Sequence, residues 1–208
     1  MLPQRHSVDR EETIIRDLLE HIDRAEEVNQ RKLASDLGIA LGMTNTYVKR
    51  CVRKGLIKVS EVPARRYRYY LTPKGFAEKS RLTAEYFSES LRFFRRARQS
   101  FDRLMDELED AGIRRVAICG AEDLAEIAVL CSLNRPIAVA GVVRTDGGSG
   151  RICGVEAVDG RAVADVERWV IAVGHGAAEA HAQACDTVGA DRVAVPDILR
   201  GFISTGKA

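Results

Sequence analysis

Two hydrophobic patterns share this chain, one of helical spacing and one of short continuous runs, and they meet near residue 112. Between 11 and 27, Ile14, Ile15, Leu18, Leu19 and Ile22 recur at three- and four-residue steps with acids between them, which predicts an amphipathic helix. A short second helix follows. Asn29 can cap it ahead of Leu33, Ala34 and Leu37, Gly38 permits a tight exit, and Ile39 seals the corner. Residues 41–54 read as a third helix with Val48, Cys51 and Val52 on its apolar face. The opposite face carries Gly42, Asn45, Thr46, Lys49, Arg50 and Arg53 at i, i+3, i+4, i+7, i+8 and i+11. Gly55 stops this helix, and two β-prone runs, 56–59 and 67–71, enclose a hairpin whose tip carries Arg65 and Arg66.

Thr72 and Pro73 supply a cap and a first helical residue, so a fourth helix starts there. It has no Pro or Gly between 76 and 111, and Ser80, Ala84, Phe87, Leu91, Phe94, Arg98, Phe101, Met105 and Leu108 alternate steps of four and three. Such a helix would be roughly 50 Å long at 1.5 Å per residue, too long for one small domain to cover. Its stripe is expected to pair with a second copy through residues 76–111, the alternative being that it packs on the chain's own domains. Beyond Gly112 the runs 115–119, 137–143, 169–173 and 192–195 are continuously apolar, with helices expected at 122–133 and 177–188 and one more short strand at 154–158. Short buried strands alternating with helices predict an α/β parallel sheet of Rossmann type.

Composition narrows the class. With 208 residues, 46% hydrophobic and 30% charged, the chain has material for a packed core and is not disordered. No apolar run of about 18 residues occurs and residues 1–10 are polar, which argues against a membrane span or a secretory signal and predicts a cytoplasmic protein. The five cysteines, Cys51, Cys119, Cys131, Cys153 and Cys185, include no C-x-x-C pair, so neither a disulfide framework nor a metal site is expected. The net charge of +2 conceals a basic block: residues 31–75 hold eleven Lys and Arg against Asp36 and Glu61, whereas residues 111–208 are slightly acidic. A block of this kind suits a polyanion.

Three helices followed by a basic hairpin are the layout of an α+β winged helix-turn-helix domain, whose third helix enters the major groove of double-stranded DNA. Leu33-Ala34, Gly38-Ile39, Val48-Lys49-Arg50, Lys54-Gly55-Leu56-Ile57 and above all Leu71-Thr72-Pro73-Lys74-Gly75 resemble the winged-helix domain of MarR-type bacterial transcriptional regulators over about residues 11–80. Asn45, Thr46 and Arg50 are then the base-reading candidates. Lys49, Arg53 and Lys54 lean toward phosphate, and Arg65 and Arg66 hold the wing to the minor groove.

The first strand of the C-terminal region runs into Gly120-Ala121-Glu122-Asp123-Leu124-Ala125, which keeps only the first and last positions of G-x-G-x-x-G/A. Glu122 replaces the glycine over which a pyrophosphate would sit, and Arg144 and Thr145 follow the second strand where a ribose-binding acid is usual, so NAD in its ordinary pose is not expected. Residues 116–121, 125–128, 139–143 and 170–174 resemble the small Rossmann-like domain at the N-terminus of bacterial nucleotide-sugar acyltransferases. That resemblance implies a nucleotide-sugar effector near Gly120, Ala121, Glu122, Arg144, Thr145, Gly174 and His175, and a link to polysaccharide biosynthesis; the alternative is an assembly domain without ligand. No Ser, Cys or acid is placed to make a triad with His175, so no catalytic residue is assigned.

The expectation is therefore a homodimeric, non-enzymatic transcription regulator with a DNA-binding domain at 1–75, a dimerisation helix at 76–111 and a sensing or assembly domain at 112–208. A redox-responsive repressor reading NADH or cysteine oxidation is the alternative, and an enzyme acting on nucleotide sugars comes third.

Overall fold

The computed structural model describes residues 4–24, 30–62, 66–144 and 147–204, which fall into two units, Met1–Leu91 and Arg92–Ala208. In the first unit, α1 (Gln4–Arg24), α2 (Gln30–Asp36) and α3 (Leu41–Arg53) precede the strands β1 (Ile57–Val62) and β2 (Arg66–Leu71) and the first part of α4 (Pro73–Asp110). α1 starts before the apolar pattern does, because its first turns carry no apolar repeat to announce them. Asn29, the expected cap of α2, lies outside the described residues.

One buried cluster joins these elements: Ile15, Leu18, Leu19 and Ile22 of α1, Leu33 of α2, Val48 and Cys51 of α3, then Leu56, Ile57, Tyr69 and Leu82. Val52 is not part of it. Expected beside Val48 and Cys51, it is 38% exposed, and Thr44, one turn before Val48, is buried in its place with Oγ1 donating to the Ala40 carbonyl at 3.3 Å. Gly55 ends α3 with a φ of +70°, which brings the Leu56 N–H back to the Cys51 carbonyl at 2.9 Å.

The Leu71-Thr72-Pro73-Lys74-Gly75 segment has a local physical reason at nearly every position. Thr72 Oγ1 accepts from the Gly75 N–H at 3.0 Å and donates to the Gly55 carbonyl at 2.6 Å, and Pro73 is the first residue of α4. Gly75 is required by close approach, since a Cβ there would lie 2.1 Å from the Leu56 carbonyl oxygen. Lys74 Nζ donates to the Lys54 carbonyl at 3.0 Å. Lys79 then pairs with Glu20 and Asp23 of α1. Pairs of this kind contribute about 0–1 kcal/mol each, so the apolar cluster decides the packing.

The stripe expected along the whole of α4 divides in two. Phe101, Met105 and Leu108, with Ala97 and Leu104, are buried in the core of the second unit, whereas Phe87, Leu91 and Phe94 are 62%, 37% and 42% exposed. Its last third therefore packs on the chain itself, because β-sheet side chains reach it there, and the exposed stretch ends before Ala97. Every residue from Thr83 to Arg96 is exposed.

The second unit contains β3 (Arg115–Cys119), α5 (Asp123–Ser132), β4 (Ala138–Val143), β5 (Arg151–Ile152), β6 (Val155–Val158), β7 (Arg168–Ile171), α6 (Ala177–Val188), β8 (Val193–Ala194) and α7 (Asp197–Ser204). The sheet order is β5-β6-β4-β3-β7-β8. All neighbours pair in parallel except β5, which runs antiparallel to β6 at the edge. Numbered by their order in the chain, the five parallel strands read 3-2-1-4-5 across the sheet. Among the described residues no helix joins β4 to β6, and the short β5 hairpin stands in that crossover. Nor does the strand-and-helix pattern foresee α7, whose Ile198 N–H donates to Ser100 Oγ at 3.0 Å. Arg135, ahead of β4, reaches Asp102, Asp106 and Glu109 of α4.

Candidate nucleic-acid interface

At about 100° per residue, the buried face of α3 is set by Thr44, Val48 and Cys51, and the directions away from it belong to Gly42, Thr46, Lys49 and Arg53. Lys49 and Arg53 are exposed, as is Thr46, whose hydroxyl donates to the Gly42 carbonyl at 3.0 Å. Asn45 is half-buried on the side toward the hairpin. Gly42 sits in the first turn in open space, with no atom within 4 Å of the position a Cβ would take. Ala40 precedes the helix in extended conformation and makes no side-chain cap.

The Arg50 side chain and the Lys54 backbone are held by the chain itself, whereas the Lys54 side chain is exposed. The Arg50 guanidinium forms an ion pair with Glu11 of α1, at the flank of α3 that faces away from the hairpin. Lys54 follows the last turn, its backbone N–H bonded to the Arg50 carbonyl at 2.9 Å and its own carbonyl taken by Lys74. Glu11 is the residue a charge count could not single out, because seven acids crowd residues 11–27 and nothing in their spacing selects one.

β1 and β2 pair from Ile57↔Leu71 to Val62↔Arg66. Directly opposed residues share a face, so Lys58 with Tyr70 and Ser60 with Arg68 form one face of the wing, while Ile57 with Leu71 and Val59 with Tyr69 form the other. Lys58, Arg68 and Tyr70 are exposed. Arg66 occupies the first position of β2, and Arg65 lies outside the described residues. Between the second face and α3 lies a cleft of about 650 Å³ lined by Gln30, Asn45, Val48, Lys49, Val52, Arg53, Val59, Tyr67 and Tyr69. Gln30 Nε2 donates to the Tyr69 hydroxyl at 2.6 Å. Sequence reasoning assigned nothing to Val59, Tyr67 or Gln30; the alternation of Tyr67 and Tyr69 was the one available signal.

In the second unit, Gly120, Ala121 and Glu122 follow β3, Gly174 and His175 follow the neighbouring β7, and Arg144 follows β4, so all six stand at carboxyl ends of parallel strands. Thr145 is outside the described residues. Gly120 is demanded by its own sheet: a Cβ would meet the Ala172 carbonyl oxygen at 2.2 Å, and its N–H donates to the Val143 carbonyl at 2.9 Å. Glu122 precedes α5 in extended conformation, exposed, with Asp123 in the first turn. His175 is exposed, and Arg144 lies against Gly148.

Burial pushes the Cys51 and Cys119 thiols up to about 11 and the Cys131 thiol to about 12, and desolvation together with Asp186 raises Cys185. Those four sulfurs are held as thiols near neutral pH, which opposes oxidation through a thiolate. Among the described residues no three His, Cys, Asp or Glu side chains gather as a metal site would require, and no helix is long and apolar enough to cross a membrane.

Residues 11–58 match a family model described as winged helix-turn-helix DNA-binding. No curated protein matches the chain. Among solved structures, the chain is similar to a MarR family transcription regulator at 24% identity, over 42% of this chain and 64% of that one, with a TM-score of 0.37. It is likewise similar to MepR, a transcription regulator of the Staphylococcus aureus multidrug efflux pump MepA, at 18% identity over 40% of this chain and 61% of that one, with a TM-score of 0.35. The chain thus spans about three fifths of the length of both regulators. Residues 11–58 accordingly match a winged helix-turn-helix DNA-binding domain in which α3 is the third helix, and the β1–β2 hairpin follows directly on it.

Proposed function

We propose that the protein is a sequence-specific DNA-binding transcription regulator of MarR type, acting as a homodimer. The observation that carries this reading is the outward face of α3, where Gly42, Thr46, Lys49 and Arg53 stand clear of the chain's own packing beside Asn45 and a wing bearing Lys58 and Arg68. Thr46 and Asn45 suit base edges, whereas Lys49, Arg53, Lys54 and the wing arginines Arg65 and Arg66 suit phosphate and minor groove. Arg50, paired with Glu11, joins the interface only if that pair opens.

The dimer reading rests on α4. Tyr86, Phe87, Leu91, Phe93 and Phe94 are exposed within the stretch Thr83 to Arg96, in which every residue is exposed, with the Arg16 guanidinium of α1 over the Tyr86 ring at 3.7 Å. Two copies joined there would present two recognition helices to half-sites about one helical turn apart. Sedimentation is expected to give a dimer that Leu91→Glu with Phe94→Glu dissociates.

The C-terminal unit is proposed as a Rossmann-type effector domain. Its 3-2-1-4-5 strand order supports this, since ligands of such sheets bind at the carboxyl ends of the strands where the order reverses, here beside Gly120, Gly174 and His175 with Arg144 on the next strand. Glu122 and Asp123 at the start of α5 repel a pyrophosphate in the dinucleotide pose, which favours a nucleotide-sugar type of metabolite turned toward Arg144 over NADH.

Selection of duplexes from a random pool, followed by titration in increasing NaCl, tests the DNA reading. Enrichment of a two-fold symmetric sequence with a steep salt dependence is expected. Absence of binding even at low salt would overturn it. For the effector, a melting screen of UDP-sugars, CMP-sugars, NAD and NADH is expected to show a shift with a nucleotide-sugar that Arg144→Ala removes. A shift with NADH alone would overturn that assignment in favour of redox sensing.

A further inference from the structure

In the second unit, α5 turns one narrow face to solvent. Asp123, Glu126, Leu130 and the following Leu133 recur at steps of three, four and three and are all exposed, while the other residues of the helix are buried. The face is acidic at its start and apolar at its end, where Leu130 and Leu133 are 47% and 54% exposed. Cys131, between the two leucines, directs its thiol to the Arg98 carbonyl at 3.7 Å, one turn beyond Phe94. The leucines therefore stand beside the part of α4 where its exposed stretch ends. That end of α4 has the opposite charge. At about 100° per residue, Arg92 and Arg95 flank the sector of Leu91 and Phe94, and all four are exposed. Among the described residues, none of Arg92, Arg95, Asp123 and Glu126 has an ion-pair partner within the chain.

We propose that in the homodimer the exposed stretch of α4 of one copy crosses the outer face of α5 of the other, with Phe94 on Leu130 and Leu133 and with Arg92 and Arg95 facing Asp123 and Glu126. The inference rests on the dimer reading above and assigns the surface that α4 meets. The occupant follows from charge and spacing together. The two acids lie three residues apart on α5 and the two arginines three apart on α4, each pair beside an apolar patch, so one face is the counterpart of the other. Both faces belong to one chain, and a two-fold axis satisfies both at once, residue i of each copy meeting residue j of its partner. A nucleic acid would suit the arginines but leave the leucines uncovered and be repelled by the acids. Interface size points the same way. Thr83 to Arg96 supplies fourteen residues, not all on one side of the helix, whereas a stable interface takes about 20–30 residues from each partner. Apolar contact then supplies most of the affinity, and the charge pairs fix which way α4 lies across α5.

The test uses the full chain in sedimentation velocity over a dilution series, which gives the dimer dissociation constant of each variant. Leu130→Ser with Leu133→Ser is expected to raise that constant at least tenfold. Glu126→Lys and Arg95→Glu, each alone, are expected to raise it about three- to tenfold at low salt, and the two together to recover most of the loss. Recovery by the exchanged charges is a result that damage to the fold cannot produce. The replaced side chains are exposed in the single chain, so helical circular dichroism is expected to match the wild type. For a leucine variant that loses helicity, the charge exchange alone decides. A leucine variant that keeps its helicity and dimerises like the wild type, while Leu91→Glu with Phe94→Glu still gives monomers, overturns the proposal and leaves the dimer reading intact. So does a charge exchange without recovery, or an Arg95→Glu chain that dimerises normally and binds the selected duplex less tightly, since the arginines would then face DNA. A wild-type chain that sediments as a monomer at every concentration overturns both.

Discussion

Gly42 is the least expected residue of α3, and replacing it with alanine separates stability from function. A glycine within a helix costs about 0.5–1 kcal/mol relative to alanine, because it loses more backbone freedom on folding. Where a neighbour crowds the Cβ position, that cost is offset, as at Gly75. At Gly42 no atom lies within 4 Å of the added Cβ, so nothing in the free protein offsets it. Gly42→Ala should therefore stabilise the fold by up to about 1 kcal/mol, a rise of about 1–4 °C in Tm for a chain of this size. If the first turn of α3 meets DNA closely, the same methyl must push the helix outward, and overpacking of that kind costs about 1–3 kcal/mol, or roughly 5- to 150-fold in affinity. Gly201 of α7 is the matched control, since it too has nothing within 4 Å of its Cβ position; Gly201→Ala should be neutral for DNA. Differential scanning fluorimetry and duplex anisotropy on the two variants give both readings. A Gly42→Ala protein that is more stable and binds the selected duplex as tightly as wild type would remove the first turn of α3 from the interface. One that is less stable than wild type would refute the steric reasoning itself.

Glu11→Gln should free Arg50 at a stability cost below about 1 kcal/mol and steepen the salt dependence of DNA binding by up to about one, with tighter binding at low salt; an unchanged slope would show that Arg50 stays off the DNA. Gly75→Ala, by forcing a Cβ onto the Leu56 carbonyl oxygen, should lower stability by about 1–3 kcal/mol and shift the urea midpoint downward, whereas an unchanged midpoint would mean that α4 can slide at its start. With an aromatic disulfide reagent at pH 8, the exposed Cys153 should react quickly and the buried Cys51, Cys119 and Cys131 only on unfolding; rapid labelling of any of these three in the native protein would contradict their raised thiol pKa.

What the sequence determined by itself was whatever depends on neighbours along the chain. Thr72 and Pro73 start α4, Gly55 ends α3, the three- and four-residue spacing of Ile14 to Ile22 makes α1 amphipathic, and the runs at 115–119 and 169–173 become parallel strands. Helical spacing also located the outward face of α3, because angle around a helix is a property of the sequence alone. What covers each face is not such a property. Val52 shares the apolar sector with Val48 by spacing, yet β1 and β2 leave a cleft above it, and Thr44 takes the buried place. Arg50 carries the same charge as Lys49 and Arg53, but only the placement of α1 puts Glu11 against it. The stripe of α4 is uniform in sequence from Phe87 to Leu108, and it divides because the second unit's core takes in Phe101, Met105 and Leu108 while Phe87, Leu91 and Phe94 stay exposed. Local signals set the elements; burial is a sum over contacts from distant parts of the chain, so the tertiary structure alone decided which faces became core, which became an ion pair, and which stayed exposed.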